Sequence, residues 1–517
     1  MKELLKIKDV NEMTIDELIG QVIMVGLPYD YLDQGSIKFI NDYKIGNFIL
    51  FSRNYKNTNQ MKSFMKDLYQ NSLKVTDSFP LVSIDQEGGM VTRLFKDVVF
   101  PASPLTTSST SIKNAPYISG NIIGKDMLKL GMNLNLAPCL EINKELSYPL
   151  INVRGYGATR EIVLENASMF VKGLQDAGAL SCLKHFPGDG SSLKDSHLEL
   201  PFVLDKKEDV IEYNMYPFLN LLNSDAIMSS HSLFKEFDSV PTTLSHKMLT
   251  EFLREEKGYQ GLLISDGMEM KAILDNYGIA KGCVMALNAG CDILLLCHEY
   301  SEQKLALKSV KEACLNGELS IDLIKEKVAR INKAKQKLIN GLNNYCDFDA
   351  PYKRVEEEHK IMEEIVENSY TLVSGKKPTL SNNTLILSPK AMVSSIVEDE
   401  FNRRDLTQSL KNNFPNTEII EFNNDLSCKI DELVNKYDKI IIYSYDVYSD
   451  INQRKIINKI LSLKEEVYVI SLKGPSDMQY FENLVNYSCL YEYTPNSIKT
   501  IVKQLKDEIS FNGKLAK

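Results

Sequence analysis

The segment from Lys184 to Pro201, KHFPGDGSSLKDSHLELP, combines residue types that can bind a polar ligand and transfer a proton. Lys184 and His185 can donate hydrogen bonds, and the glycines that follow allow sharp backbone turns. Asp195 and His197 are spaced i and i+2, so in an extended loop they lie on one side, where a carboxylate favours a protonated imidazole. The alternative is an ordinary charged surface loop.

Short, almost continuously apolar runs recur through the N-terminal part of the chain and indicate the elements that position this segment. Such runs are typical of parallel strands buried on both faces, and most intervals between them are long enough for a crossover helix. They predict an N-terminal (β/α)8 TIM-like barrel. The runs are QVIMVGL (21–27), NFILF (47–51), LVSI (81–84), NLNLA (133–137), ALSCLK (179–184), AIMSS (226–230), LLIS (262–265) and DILLL (292–296).

Polar residues follow several of these predicted strands. In a barrel of this kind the catalytic groups lie at the carboxyl ends of the strands, on one rim. Asp85 follows the third run, Lys184 and His185 the fifth, His231 the sixth and Asp266 the seventh. We therefore expect these side chains to meet at the same rim.

The C-terminal part of the chain has its own alternation of strands and helices. We predict a catalytic barrel over residues 1–342, a linker and connecting helix over 343–372, and a smaller doubly wound α/β sandwich domain over 373–517. This last unit has no GxGxxG or GxxxxGK[ST] motif, so we expect it to be structural or to shape a site from outside. Its five predicted strands are NTLILS (383–388), TEIIEF (417–422), KIIIYSYD (439–446), VYVISL (467–472) and SCLYEY (488–493).

Composition narrows the classes of protein. The chain has 517 residues and a formal net charge of −9, which disfavours binding to nucleic acid or to an anionic membrane surface. Its nine cysteines lack a CxxC motif and predict reduced core thiols rather than disulfides or a zinc site. No stretch has the length of a membrane span, and the charged N-terminus lacks an apolar signal segment. We expect a cytoplasmic protein, and we predict no oligomeric state.

Six segments occur in order, each after a predicted strand, and together resemble the glycoside hydrolase family 3 β-N-acetylglucosaminidases of the NagZ type. The resemblance covers roughly residues 10–340, and the C-terminal unit resembles the second domain of the two-domain members. The segments are IDQEGGMVTRL (84–94), NLNLAPCLEIN (133–143), RGYG (154–157), KHFPGDGSSLKDSH (184–197), IMSSHSLFKEFDSVPTTLS (227–245) and LLISDGMEM (262–270).

The resemblance implies a retaining glycosidase whose nucleophile is Asp266 and whose proton donor is His197, assisted by Asp195. Retention needs a carboxylate on one face of the sugar and a proton donor near the leaving oxygen. A strand end is a rigid place for such a nucleophile. The alternatives are that Asp266 caps the following helix and that His197 is a solvent-facing loop residue.

The same resemblance implies a set of sugar-binding residues and no metal or other cofactor. The set is Asp85, Arg93, Arg154, Lys184 and His185. Carboxylates accept hydrogen bonds from hydroxyl groups, whereas the cations suit hydroxyls and an acetamido carbonyl. The alternative for the two arginines is a salt bridge at the barrel rim.

The chain departs from the family pattern at three positions. Asp189 stands where His or Asn is usual, Met90 where Arg is common, and Gly267 where Asp is common. These departures put fine substrate preference in doubt, and Asp189 adds negative charge near the predicted proton donor. Glu87 resembles an acid–base carboxylate but lies in a structural turn of the family pattern, so it is not a candidate.

The implied function is removal of a terminal GlcNAc by double displacement. The implied substrates are small carbohydrates derived from muropeptides, GlcNAc–MurNAc or its anhydro form, in cell-wall recycling. Four alternatives stay open: a chitooligosaccharide hydrolase, a β-N-acetylglucosaminide phosphorylase on the same site, a β-glucosidase of the superfamily, and a noncatalytic sugar-binding protein. A neutral histidine in place of a carboxylate base would not repel phosphate, which keeps the phosphorylase open.

Overall fold

The N-terminal part of the protein is a closed parallel barrel. The computed structural model describes residues 2–146, 151–188, 199–390 and 405–517. Within these residues, eight parallel strands hydrogen-bond in the order β1-β8-β7-β6-β5-β4-β3-β2, and β1 pairs with β2 to close the ring. The strands are β1 Ile23–Gly26, β2 Asn47–Leu50, β3 Leu81–Ile84, β4 Leu134–Asn135, β5 Leu180–Phe186, β6 Ala226–Ser229, β7 Leu262–Gly267 and β8 Ile293–Leu296.

The predicted barrel is confirmed, and each apolar run contains or overlaps one strand. The residues of β1, β2, β3, β6 and β8 are all buried, as expected for strands covered by helices on one face and by the barrel interior on the other. The main differences are in β1 and β4, which are shorter than predicted, and in β5 and β7, which extend further toward the rim.

Helices alternate with these strands and surround the barrel. Side-chain caps start several of them; for example, Asn57 and Thr159 each accept a hydrogen bond from a backbone N–H of the first helical turn. The helix Lys247–Glu256, which precedes β7, has π-type hydrogen bonding. The helices of this part are Ile15–Val22, Gln34–Tyr43, Thr58–Thr76, Pro104–Ser109, Ala115–Lys129, Arg160–Ala177, Lys207–Asp209, Val210–Asn214, Tyr216–Leu219, Lys247–Glu256, Lys271–Tyr277, Ile279–Ala289, Tyr300–Asn316 and Ile321–Tyr345.

The second part of the chain forms a separate α/β sheet that differs from prediction at one edge. Five strands were expected, whereas the described residues contain six, in the order β9-β14-β13-β12-β10-β11. The additional strand β9 pairs antiparallel with β14, and its short, partly exposed sequence TLVS lacks the continuous apolar run of a buried strand. The strands are β9 Thr371–Ser374, β10 Thr384–Ser388, β11 Glu418–Glu421, β12 Lys439–Ser444, β13 Val467–Ser471 and β14 Asn486–Cys489.

The connector is more ordered than its polar sequence indicates. A helix begins at Glu356, within the predicted connecting segment 343–372, and its acidic first turn EEE interacts favourably with the helix dipole. The proposed domain limits at 342 and 372 stay predictions. The helices from the connector onward are Glu356–Glu367, Leu406–Asn413, Ile430–Lys436, Ile451–Leu463 and Pro495–Leu505.

One hydrophobic cluster joins the two parts of the chain. It contains loops on the rim of the barrel together with the interior of the second sheet. From the barrel side come Met90, Leu105, Leu146, Val153 and Ala158, and from the second domain come, among others, Tyr443, Tyr445, Leu472, Tyr491 and Tyr493. The shared core indicates that the two domains pack as one unit.

All nine cysteines lie among the described residues and are free thiols, eight of them buried. Across the part of the chain that the structure describes, no helix is both long enough and apolar enough to span a membrane.

Replacing Lys335 with Met is expected to stabilise the protein near pH 7, with a gain that shrinks as the pH rises toward 10. Lys335 is buried and donates to Oε1 of Gln21 at 2.8 Å. Burial lowers its pKa from 10.5 to about 7, so between these pH values the unfolded chain binds a proton that the folded chain does not. Stability should therefore fall as the pH is lowered through this range.

Urea unfolding of the wild type and of Lys335→Met between pH 6.5 and 10 measures this difference. The exposed Lys333 on the same helix offers the matched control, Lys333→Met. A gain in Lys335→Met that is the same at every pH would contradict the assignment.

Candidate active site

A cluster of buried, alternately charged side chains forms one wall of the barrel rim. Nζ of Lys184, on β5, contacts Oδ1 of Asp85 at 2.6 Å and Oε1 of Glu87 at 2.8 Å. Glu87 also accepts two hydrogen bonds from Arg154, from Nε at 2.9 Å and from a terminal nitrogen at 2.8 Å. Arg93 lies 3.5 Å from the other oxygen of Asp85. The five side chains form a continuous ion-pair network.

Mutual pairing keeps these groups charged despite their burial. Burial alone would raise the pKa of Asp85 and of Glu87, but the adjacent cations outweigh it and hold both below their usual values. For Asp85 the cations are Lys184 and Arg93, and for Glu87 they are Arg154 and Lys184. The same contacts raise the pKa of Lys184. The wall therefore presents charged donors and acceptors, and the lowered pKa of Glu87 disfavours a role as proton donor.

A tight hairpin after β3 turns Glu87 toward the cations. Residues Gln86–Gly88 pair antiparallel with Val91–Thr92 around Gly89, whose φ of 58° lies in the left-handed region. A Cβ at Gly89 would lie 2.4 Å from Cβ of Ser103, so a side chain does not fit there. The paired glycines of the sequence are thus required by the turn and by close packing.

Asp266 lies near the end of β7, separate from this wall. Its carboxylate accepts a hydrogen bond from the backbone N–H of Gly267 at 2.7 Å, and 22% of its side chain is exposed. Oδ2 of Asp266 lies 4.0 Å from Nε2 of His185. The opposite nitrogen of that ring, Nδ1, is 2.9 Å from Oε1 of Glu141. An imidazole thus lies between two carboxylates, one buried and one accessible.

Glu141 is the member of this site that the sequence analysis missed. The chain after β4 stays beside β5, since Cys139 forms a bridge with Lys184 and Leu140 N–H donates to the Lys184 carbonyl at 2.7 Å. This path brings Glu141 into contact with His185. The Glu141 carboxylate also accepts a hydrogen bond from the backbone N–H of His185 at 2.8 Å. The signal was present in the segment APCLEIN, which carries a carboxylate directly after a predicted strand.

Glu141 determines the charge of His185. Burial by itself would lower the pKa of His185, but the Glu141 carboxylate outweighs it and the pKa is raised. The reciprocal contact lowers the pKa of Glu141 despite burial. A protonated His185 directs a positive N–H toward Asp266, which favours the ionised form of that carboxylate.

His231 supports the backbone next to Asp266 and does not line the ion-pair wall. The buried ring lies with Nε2 at 2.9 Å from the carbonyl oxygen of Gly267 and with Nδ1 at 2.8 Å from Oγ1 of Thr243. Since a carbonyl oxygen only accepts, Nε2 carries the proton and donates. This bond fixes the peptide that follows Asp266.

Six of the predicted site residues lie on the same rim, and two fall outside the description. Asp195 and His197, like Asp189, lie in the stretch 189–198, outside the described residues. The six on the rim are Asp85, Arg93, Arg154, Lys184, His185 and Asp266. Both arginines form salt bridges, which was the alternative predicted for them. Both also belong to the ion-pair wall at the rim.

The arrangement combines two chemical capacities. The ion-pair wall offers several fixed hydrogen-bonding groups to a polyhydroxylated ligand. Asp266 is a partly exposed carboxylate near the end of a rigid strand, where it accepts a hydrogen bond from a backbone N–H and lies near the imidazole of His185, an arrangement that suits a nucleophile aimed at a bound ligand.

Replacing Glu141 with Gln is expected to lower the pKa of His185 below its ordinary range. The substitution keeps the size of the side chain but removes the negative charge that offsets burial. NMR titration of the imidazole signals measures the change, and the protein's six histidines keep the spectrum simple. The exposed His246 gives the internal control. An unchanged His185 titration would show that Glu141 does not set its charge.

Comparison with known proteins shows the family to which the chain belongs. A family model described as the glycosyl hydrolase family 3 N-terminal domain matches residues 14–334, more than half of the chain. A β-hexosaminidase A of Pseudoalteromonas piscicida is 29% identical over 327 residues, which are 58% of this chain and 55% of that protein, so the chain spans about half of that relative's length. A β-hexosaminidase of Actinobacillus pleuropneumoniae serotype 5b is 28% identical over 351 residues, 64% of this chain and 100% of the relative.

The fold of the whole chain also has a solved counterpart. The structure of a glycoside hydrolase family 3 β-N-acetylglucosaminidase from Paenibacillus sp. str. FPU-7 superimposes with a TM-score of 0.88 at 29% identity, covering 98% of each chain. The chain therefore belongs to glycoside hydrolase family 3 and is a two-domain glycosidase of that family.

Proposed function

We propose that this protein is a retaining exo-β-N-acetylglucosaminidase that removes a terminal GlcNAc by double displacement. The observation that carries the proposal is Asp266, an accessible carboxylate on a rigid strand end that faces the imidazole of His185. The names of the relatives, β-hexosaminidases and a β-N-acetylglucosaminidase, support the sugar.

In the first step, Asp266 attacks the anomeric carbon of the bound GlcNAc. The bond between that carbon and the leaving oxygen breaks, and a glycosyl ester of Asp266 forms. His197, protonated and assisted by Asp195, gives its proton to the leaving oxygen, so that the remaining sugar departs as an alcohol. The imidazolium of His185 keeps Asp266 ionised and therefore nucleophilic.

In the second step, a water molecule replaces the leaving sugar. His197, now neutral, takes a proton from this water as the oxygen attacks the anomeric carbon. The ester bond breaks, GlcNAc is released with its original anomeric configuration, and Asp266 and His197 return to their starting protonation states. The step needs no metal or other cofactor.

Binding of the sugar is the task we assign to the ion-pair wall. Asp85 accepts from sugar hydroxyls, while Lys184, Arg93 and Arg154 donate to hydroxyls and to the acetamido carbonyl. Because these groups are already held by one another, little side-chain freedom is lost when the sugar binds.

The physiological substrate we propose is a small muropeptide fragment, GlcNAc–MurNAc or GlcNAc–anhydroMurNAc, cleaved in the cytoplasm during cell-wall recycling. Chitooligosaccharides are the alternative substrate. Phosphorolysis on the same site is the alternative reaction.

Asp266→Asn is expected to lower kcat for an aryl β-N-acetylglucosaminide by a factor on the order of a thousand or more, because an amide cannot form the glycosyl ester. His197→Ala should lower kcat/KM about 10²–10⁴-fold on a disaccharide but far less on a dinitrophenyl glycoside, whose leaving group departs without protonation in the first step. Release of the aryl alcohol measures the rates on the aryl glycosides, and chromatography of free GlcNAc measures the rate on the disaccharide.

The exposed Asp275 provides a matched control, since Asp275→Asn makes the same change on the helix that follows β7. Near-wild-type turnover by Asp266→Asn or His197→Ala would overturn the assignment of that residue.

One set of assays distinguishes hydrolysis from phosphorolysis and identifies the preferred leaving sugar. We expect free GlcNAc as the product with and without phosphate, and faster turnover of GlcNAc–anhydroMurNAc than of chitobiose or an aryl β-glucoside. Chromatography of the products measures the outcome. GlcNAc-1-phosphate formed in phosphate buffer would establish a phosphorylase, and binding of GlcNAc without turnover would establish a sugar-binding protein.

A further inference from the structure

The loop that carries Arg154 is held from outside by the second domain. Asn152 donates from Nδ2 to Oγ of Ser476 at 3.2 Å, two residues before Arg154. Four residues after Arg154, the backbone N–H of Ala158 donates to the carbonyl of Ala516 at 2.9 Å. Both contacts join residues of the barrel rim to residues more than 300 positions later in the chain.

Contacts within the barrel hold the other side of the same loop. The carbonyl of Asn152 accepts from Nδ2 of Asn143 at 3.2 Å, and Asn143 N–H donates to the carbonyl of Gly157 at 3.1 Å. Val153 is buried in the cluster that contains the second-domain tyrosines. The segment 151–158 is therefore clamped between the two domains, with Arg154 in its centre.

Asn152 has the conformation that such a clamp requires. Its φ of 43° lies in the left-handed region, where asparagine is tolerated better than most other side chains. Asn152 and its acceptor Ser476 are both buried, with 4% of each residue exposed. A hydrogen bond between buried partners is costly to lose, because the remaining partner is left unsatisfied.

We propose that Asn152 and Ser476 are positioning residues for sugar binding, and that through them the second domain fixes the guanidinium of Arg154. The effect passes along one short path: Ser476 fixes Asn152, Asn152 fixes the turn, and the turn aims Arg154 at Glu87 and the sugar. The proposal rests on the proposed function in one respect, namely that Arg154 binds the sugar.

The relatives show why this support is specific to the longer chains. The β-hexosaminidase of Actinobacillus pleuropneumoniae is matched over its full length by 64% of this chain, so it has no sequence left to correspond to the remainder. The structure of the Paenibacillus enzyme covers 98% of this chain and does contain that remainder. The proposed clamp therefore applies to chains that, like this one, extend beyond the length matched by the shorter relative.

The test compares Ser476→Ala with Ser381→Ala. Both replace a serine of the second domain, but Ser381 is exposed and bonds to Thr384, the first residue of β10. We expect Ser476→Ala to raise KM for an aryl β-N-acetylglucosaminide about three- to tenfold with a smaller change in kcat. Ser381→Ala should leave both constants unchanged.

A double-mutant cycle with Arg154→Lys separates positioning from general destabilisation. If Ser476 acts through Arg154, Ser476→Ala should have little further effect on kcat/KM once Arg154 is replaced. Equal losses in the two backgrounds would overturn the proposal, as would an unchanged KM in Ser476→Ala.

Amide hydrogen exchange supplies a readout that does not depend on the reaction. Exchange in residues 151–158 should be faster in Ser476→Ala than in the wild type, and unchanged in Ser381→Ala. A wild-type protein that does not cleave the substrate would refute the proposed function alone, while unaltered exchange in Ser476→Ala would refute the clamp alone.

Discussion

The contact of Lys184 with both Asp85 and Glu87 is the interaction on which the rest of the site depends. A buried ammonium is unfavourable unless carboxylates surround it, and each buried carboxylate needs a cation in turn. Lys184 lies 2.6 Å from Asp85 and 2.8 Å from Glu87, and Glu87 is held in addition by Arg154. Removal of either carboxylate would leave cations without a full set of partners, and the network joins the rim segments after β3 and β4 to the end of β5.

The mutual pairing distinguishes the wall residues, which suit binding, from Asp266, which suits chemistry, on the same rim. The wall groups are locked in their charged forms, because the neighbouring cations hold the pKa values of Asp85 and Glu87 low. Asp266 lies outside that network and is partly exposed, with the imidazole of His185 beside it and Glu141 behind that ring. A fixed wall suits recognition of hydroxyl groups, whereas an accessible carboxylate suits a covalent reaction.

The second domain takes part in the rigidity of the rim. Glu492 is fully buried and accepts hydrogen bonds from Ser103 N–H at 2.7 Å and from Oγ1 of Thr106 at 2.8 Å. Ser103 packs directly against Gly89 in the hairpin that carries Glu87. Met90, at a position where the family commonly has arginine, is buried in the core shared by the two domains. The hairpin and the Arg154 loop thus have the same external support.

The sequence by itself determined the barrel, its eight strands and the rim on which the polar residues lie. Continuous apolar runs mark strands buried on both faces, and such strands need no long-range information to be recognised. It missed strand β9, whose half-exposed residues carry no such pattern. Only the tertiary structure decided which charges pair. Glu141 reaches His185 because the chain after β4 continues beside β5, and Asn152 reaches Ser476 across a domain boundary. Pairings between residues far apart in the chain depend on how the elements pack, and local residue patterns do not encode that packing.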